Sequence, residues 1–221
     1  MGQVTKRGRV WAGMTAALVA CGAQASLLQN GSFEDTVGGV GGGFSHCYLG
    51  GDCSATAVSG WSGNAPLISS SSSPWGGPNQ LGNWNPGFGS LLIGLQNLMY
   101  IEQSLTLAAG TYQLSWFDAG RAGYSPANYN VSFDGTVLQS LHTNVYQAWG
   151  QHTLTFHADG DGVLRFGGNT VGADGTAFVD NVSLNLVSLD TVPVPEPSSA
   201  ALLGLGLAGV AATRRRATQR G

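Results

Sequence analysis

The chain has 221 residues, 43% of them hydrophobic and 10% charged, which is enough for one domain with a sizeable core. The net charge of −3 hides an uneven distribution: seven of the nine basic residues lie in the two ends, and between positions 26 and 190 two arginines stand against eleven carboxylates, a formal −9. A stretch this acidic repels phosphate backbones, which argues against nucleic acid as a partner.

In chain order, Lys6, Arg7 and Arg9 precede the apolar stretch Val10 to Gly22, and Ala23-Gln24-Ala25 offers a small-x-small cleavage site. This is the layout of a secretory signal peptide over residues 1–25, with a mature start at Ser26. A competing cut exists, because Leu18-Val19-Ala20-Cys21 also reads as a lipobox that would leave Cys21 lipidated. In the exported domain, 26–190, Cys47 and Cys53 are spaced to close a small loop as a disulfide in an oxidising compartment. With His46 beside them a metal site is the alternative, but three ligands in one loop are too few for closed zinc coordination.

A short strand is expected over Leu27 to Asn30, then a Gly-rich loop from Val37 to Gly51 and a short strand at Ala57 to Trp61. Ser69 to Ser73 and the Pro/Gly/Asn/Trp segment 74–87 form a long loop region with Trp75 and Trp84 in it, a place where function can live. Regular alternation follows, at Ser90 to Leu95, Tyr100 to Leu107 and Thr111 to Asp118, then Tyr129-Asn-Val-Ser-Phe133, where Asp134-Gly135 turns the chain into Thr136 to Leu141. Further strands are expected at Thr153 to Ala158, Val163 to Gly167 and Ala177 to Val187. About nine strands without an amphipathic helix outside the ends predict an all-β, two-sheet antiparallel β-sandwich of jelly-roll type. A parallel β-helix, the runner-up, would need a short repeat that this spacing lacks.

Residues 191–221 hold Val194-Pro195-Glu196-Pro197, an apolar run, and then Arg214, Arg215 and Arg216. A rigid spacer, a short transmembrane helix over 199–213 and a cationic cluster on the cytoplasmic side read as a membrane address. The uncharged stretch reaches roughly 24 Å, short of the ~30 Å hydrocarbon core, so it is marginal as a permanent anchor. The tail resembles the PEP-CTERM sorting signal. That resemblance implies processing near Pro195-Glu196-Pro197 by exosortase, a membrane protease-transpeptidase of Gram-negative bacteria that export exopolysaccharide. It also implies transient residence in the inner membrane and a final place in the envelope, on the outer surface or in the extracellular matrix.

Asn30-Gly-Ser-Phe-Glu34, Gly60-Trp61, Gly110-Thr-Tyr-Gln-Leu-Ser-Trp116 and Val179-Asp-Asn-Val-Ser-Leu184 together resemble the galactose-binding-like jelly rolls, which include many carbohydrate-binding modules. In those folds the first and last strands lie close and many members hold a structural Ca2+, which nominates Glu34 and Asp180 as ligands. Asp180 also stands out by itself. It alternates with Phe178, Val182 and Leu184, and if that face is inward a buried carboxylate needs a cation, a proton or hydrogen-bond donors.

Sugar rings need flat apolar platforms flanked by a few polar groups, and the loop aromatics Trp75, Trp84, Tyr124 and Trp149, with Tyr146, are candidates, whereas Trp61, Trp116 and Tyr129 read as core. Asp159-Gly-Asp-Gly162 lacks the later ligands of an EF-hand and reads as a turn. No nucleophile elbow, zinc-protease motif or phosphate loop occurs. The expected function is a non-enzymatic exported protein that binds polysaccharide. The rivals are an adhesive matrix protein without a small-molecule site, and a polysaccharide hydrolase whose two carboxylates would have no sequence signature.

Overall fold

The computed structural model describes residues 26–40, 46–50 and 56–190. The expected signal peptide, Cys53 and the sorting tail with its membrane helix lie outside the described residues. Among the described residues no helix is long and apolar enough to cross a membrane.

Thirteen strands form among the described residues. Five are short: β1 (Thr36–Val37), β2 (His46–Tyr48), β3 (Ala57–Val58), β4 (Ser62–Gly63) and β5 (Pro66–Ser69). Eight build the body: β6 (Leu91–Gln96), β7 (Tyr100–Leu105), β8 (Gly110–Gly120), β9 (Ala127–Phe133), β10 (Thr136–Thr143), β11 (Gly150–Ala158), β12 (Gly162–Gly168) and β13 (Thr176–Leu189). One sheet has the order β11-β8-β13-β6-β5-β2 and the other β10-β9-β12-β7-β4, every pairing within them antiparallel, while β1 and β3 form a small separate ribbon. From β6 onward the chain changes sheet at each connection except the β9–β10 hairpin, and the four-strand orders β6-β13-β8-β11 and β7-β12-β9-β10 are those of a jelly roll. The expected fold class is therefore the observed one.

Alternation explains the core. Tyr112, Leu114 and Trp116 of β8 meet Tyr129, Val131 and Phe133 of β9 between the sheets, with Ile101 and Leu105 of β7 and Leu164 and Phe166 of β12. Asp134, at φ 45°, and Gly135, at φ 79°, supply the left-handed pair that the β9–β10 turn requires.

The six-stranded sheet is covered on its outer side as well. Residues 70–90 fold into three short 3-10 turns, Ser73–Trp75, Pro78–Gln80 and Pro86–Phe88. Their Trp75, Leu81 and Phe88 pack with Trp149 onto Ile68, Leu92, Ala119 and Phe178 as a second apolar cluster. The loop read as an open functional segment is thus largely a third layer. Leu27 to Asn30 forms no strand. It runs beside β13 instead, with Leu27 N–H donating to the Leu184 carbonyl at 2.8 Å and Val182 N–H to the Gly31 carbonyl at 2.8 Å. A Cβ at Gly31 would strike the Val182 carbonyl, so the approach depends on glycine.

Candidate functional site

Strand β13 does not keep one face inward throughout, as simple alternation suggests. Its pairing with β8 shifts between Asp180 and Ser183, and Asn181 sits at φ 53°, a bulge that exchanges the two faces. Ala177 and Val179 before the bulge, and Val182 and Leu184 after it, all enter the inner core. Phe178 and Asp180 turn to the outer side, Asp180 opposite Phe117. The expectation that Asp180 shares its face with Val182 and Leu184 is thereby corrected, although its burial is as expected, with no exposed surface.

Asp180 Oδ1 accepts the Asn181 N–H at 2.6 Å, while Oδ2 has no hydrogen-bond partner among the described residues. Burial pushes the carboxyl well above the usual carboxylate range; the Asn181 N–H opposes that shift and the negative charge of Glu34 adds to it. Glu34 and Asp180 are therefore electrostatic neighbours.

Glu34 is nonetheless occupied. Its Oε1 accepts Ser90 N–H at 2.8 Å and Leu91 N–H at 2.6 Å, and its Oε2 accepts the Ser90 hydroxyl at 3.0 Å. Gly89, at φ 90°, leaves the room for this clasp, since a Cβ there would meet the Glu34 carboxylate. No group of three or more His, Cys, Asp and Glu side chains that could hold a metal exists among the described residues. The corner thus offers one open oxygen on Asp180 beside a second carboxylate, and a calcium ion would draw the rest of its six to eight oxygens from backbone or water.

The nominated aromatics separate into two groups. Trp149 is 2% exposed, donates its Nε1–H to the Pro78 carbonyl at 2.9 Å and lies within the second apolar cluster; Trp84 packs edge-on against Phe88 and Trp149. Both hold the outer layer to the sheet, and Trp149 has no open ring face for a ligand. Trp75 and Tyr124 are brought together instead by Arg121, one of the two arginines of the acidic domain.

Directly after β8, the Arg121 guanidinium sits 4.4 Å from the Trp75 ring centre and 3.4 Å from that of Tyr124. It also donates to the Pro74 carbonyl at 2.8 Å and to Asp174 Oδ1 at 3.2 Å. Two aromatic faces, a carbonyl and a carboxylate hold one buried cation. Asp174 Oδ1 further accepts Gln96 Nε2–H at 2.6 Å, and the Tyr48 hydroxyl lies 3.4 Å from Gln96 Oε1. With His46, edge-on to Tyr48 and Trp75, these groups line a cleft of about 290 Å³ at one end of the six-stranded sheet. Tyr124 is 39% exposed and presents the open aromatic surface. No signal in the sequence gathers these residues, because they come from five separate segments.

The remaining nominations fall where simple structure uses them. Cys47 is buried on β2, and Cys53, with which it is expected to pair, lies outside the described residues. Asp161 Oδ1 accepts Leu107 N–H at 2.9 Å, which makes Asp159-Gly-Asp-Gly a pinned turn. Arg165 pairs with Glu102 at 3.3 Å. His152 and His157 lie on opposite faces of β11, His152 stacked on Trp116 and His157 near Asp190.

Residues 193–216 match the PEP-CTERM protein-sorting motif. No curated protein matches the chain. Among solved structures, similarity extends to the CBM22-1 xylan-binding domain from Paenibacillus barcinonensis Xyn10C, at 14% identity and a TM-score of 0.46 over 77% of this chain and 100% of that one. It extends also to a CBM36 carbohydrate-binding module in complex with calcium and xylotriose (20% identity, TM-score 0.37, 42% of this chain and 79% of that one). A third is a family 35 carbohydrate-binding module from Clostridium thermocellum (19%, 0.35, 45% and 80%). At these identities and scores the likeness carries no functional argument.

Proposed function

We propose that this is an exported, non-enzymatic protein whose jelly roll binds a polysaccharide in the cleft around Arg121, and whose tail is processed by exosortase. The observation that supports binding is the cleft itself. An open tyrosine ring is fixed in place by a buried cation beneath it, and next to it stand an amide, a carboxylate, a phenol and an imidazole. Such a mixture suits a sugar, whose ring has an apolar face and whose rim carries hydroxyls. Asp174 Oδ2 makes no hydrogen bond among the described residues and is 57% exposed as part of its side chain, so it can accept from a hydroxyl.

Among the described residues the cleft holds one carboxylate, Asp174, whereas glycoside hydrolysis needs a pair across the scissile bond. The Cys47–Cys53 disulfide, part of the same proposal, would fasten the loop that brings β2 to the cleft. Calcium is the ion we propose for the Glu34–Asp180 corner.

A glycan array probed with the exported protein, including the exopolysaccharide of its own host, tests the binding. Retention of at least one glycan is expected, and Tyr124→Ala should weaken it about tenfold, the scale of one lost aromatic contact. Absence of binding to every glycan would end this reading in favour of an adhesive protein without a small-molecule site. For the tail, the mature C-terminus read by mass spectrometry should fall near Pro195-Glu196-Pro197, and replacing Arg214, Arg215 and Arg216 by alanine should leave unprocessed precursor. A mature protein ending at Gly221 would refute the processing.

A further inference from the structure

Seven non-glycine residues among those described have positive φ: Asn30, Phe33, Asn83, Asn97, Asp134, Tyr146 and Asn181. Five are Asn or Asp, which tolerate the left-handed region. Phe33 is bulky but has no exposed surface and packs against Trp61, so core burial offsets its strain. Tyr146 has no such compensation. It sits at φ 59° with 67% of its surface open to solvent, at a position where asparagine or glycine would be less strained.

The turn that displays it is fastened unusually well. Asn144 N–H donates to Gln147 Oε1 at 3.0 Å, and Gln147 N–H donates to the Asn144 carbonyl at 3.1 Å. Gln147 Nε2–H reaches down to the buried Asp118 Oδ1 at 3.1 Å, and the Gln147 carbonyl accepts Gly120 N–H at 3.2 Å. A Cβ at Gly120 would collide with the Asn144 carbonyl, so the turn lies directly on the end of β8. That is the strand end from which Arg121 and Tyr124 emerge. A Cβ built on Gly123 would stand 3.7 Å from the Tyr146 hydroxyl, so Tyr146 reaches the residue next to Tyr124. A rigid turn thus holds a strained aromatic side chain in water, beside the cleft.

We infer that Tyr146 is a second stacking platform continuing the Arg121–Tyr124 cleft along the same rim, and that the site takes an internal stretch of an uncharged hexopyranose chain rather than a single ring. This rests on the proposed carbohydrate binding and extends it. The absence of charge follows from the electrostatics. The domain carries a formal −9, and the cation of the cleft is already matched by Asp174 at 3.2 Å, so a uronic-acid polymer would meet net repulsion.

Titration of the full-length protein with disaccharides and hexasaccharides of glucose, xylose, mannose and galactose tests this. The hexasaccharide of the preferred sugar should bind more tightly than its disaccharide. Tyr146→Asn should remove that gain, about tenfold, leave disaccharide affinity within about twofold, and keep or raise Tm because asparagine accepts the backbone angle. Tyr124→Ala should weaken both ligands. Unchanged hexasaccharide affinity in Tyr146→Asn, an equal loss for both lengths, or a lower Tm would overturn the second platform while leaving the cleft reading intact. Preference for acidic over neutral chains would overturn the charge assignment. Failure of every oligosaccharide, with Tyr124→Ala without effect, would instead refute carbohydrate binding itself.

Discussion

Asp118→Ala is expected to lower stability by about 3 kcal/mol, the scale for removing one member of a buried charged hydrogen-bonded group, and Tm by roughly 9 °C for a domain of this size. Asp118 is almost wholly buried on the inner side of β8. Its Oδ2 accepts the Tyr129 hydroxyl at 2.8 Å, and that hydroxyl in turn accepts Trp116 Nε1–H at 2.8 Å. Its Oδ1 accepts Gln147 Nε2–H, and His152 Nε2 stands 2.9 Å away without hydrogen-bond alignment.

Burial, and then the Asp118 charge, raise the Tyr129 phenol far above its ordinary value, so tyrosine stays the donor and aspartate the acceptor throughout the physiological range. Alanine at 118 would leave the Tyr129 hydroxyl and the Gln147 amide without their acceptor, and would free the turn that carries Tyr146. Thermal unfolding measures the first effect, and loss of the hexasaccharide preference the second. A Tm within about 2 °C of wild type would show that water replaces the carboxylate at no cost.

The second large effect concerns pH and calcium at Asp180. Its carboxyl is raised in the folded protein above the unfolded value of 3.8. Such a group keeps its proton when folded and loses it when unfolded, so its contribution is fully present below the unfolded value and is lost as pH rises through the folded one. Chelated wild-type protein should therefore lose stability relative to Asp180→Asn as pH is raised from the acid side towards neutrality and above, because the amide never ionises.

The proposed calcium should reverse this at neutral pH. By binding the ionised pair it should raise the wild-type Tm, release a proton, and do neither in Asp180→Asn or Glu34→Ala. Parallel melting curves for wild type and Asp180→Asn at all pH values would remove the titration. A Tm indifferent to calcium and chelator would leave the proton as the group that neutralises this corner.

The body of the fold was legible because strands β7 to β12 obey two-residue alternation and end in strong turns. Asp134-Gly135 in particular fixed a hairpin and its register. Of the short strands only β3 was expected, and the others escaped notice for a physical reason. Pro66 to Ser69 is buried on both sides and has no polar phase to reveal it, and β2 and β4 are held by neighbouring strands rather than by their own pattern.

Asp180 was found for its burial and misplaced in its facing, because a bulge at Asn181 breaks the alternation while leaving the composition unchanged. Trp84 and Trp149 were read as loop aromatics since nothing local shows that residues 70–90 fold back on the sheet. Nothing in the sequence around Arg121 marks it out. Its stacking between Trp75 and Tyr124 depends on two distant segments meeting, which only the tertiary fold supplies.

Strand β13 sets one more relation. It begins at Thr176, next to Asp174 and the cleft, and ends at Leu189, where Asp190 N–H reaches the Ala109 carbonyl. Fourteen residues of strand, at about 3.3 Å each and shortened by the bulges, separate those poles by roughly 40 Å. The polypeptide departs towards its sorting motif from the pole opposite the aromatic rim. A molecule held by that tail would carry its tyrosines at the end farthest from the point of attachment.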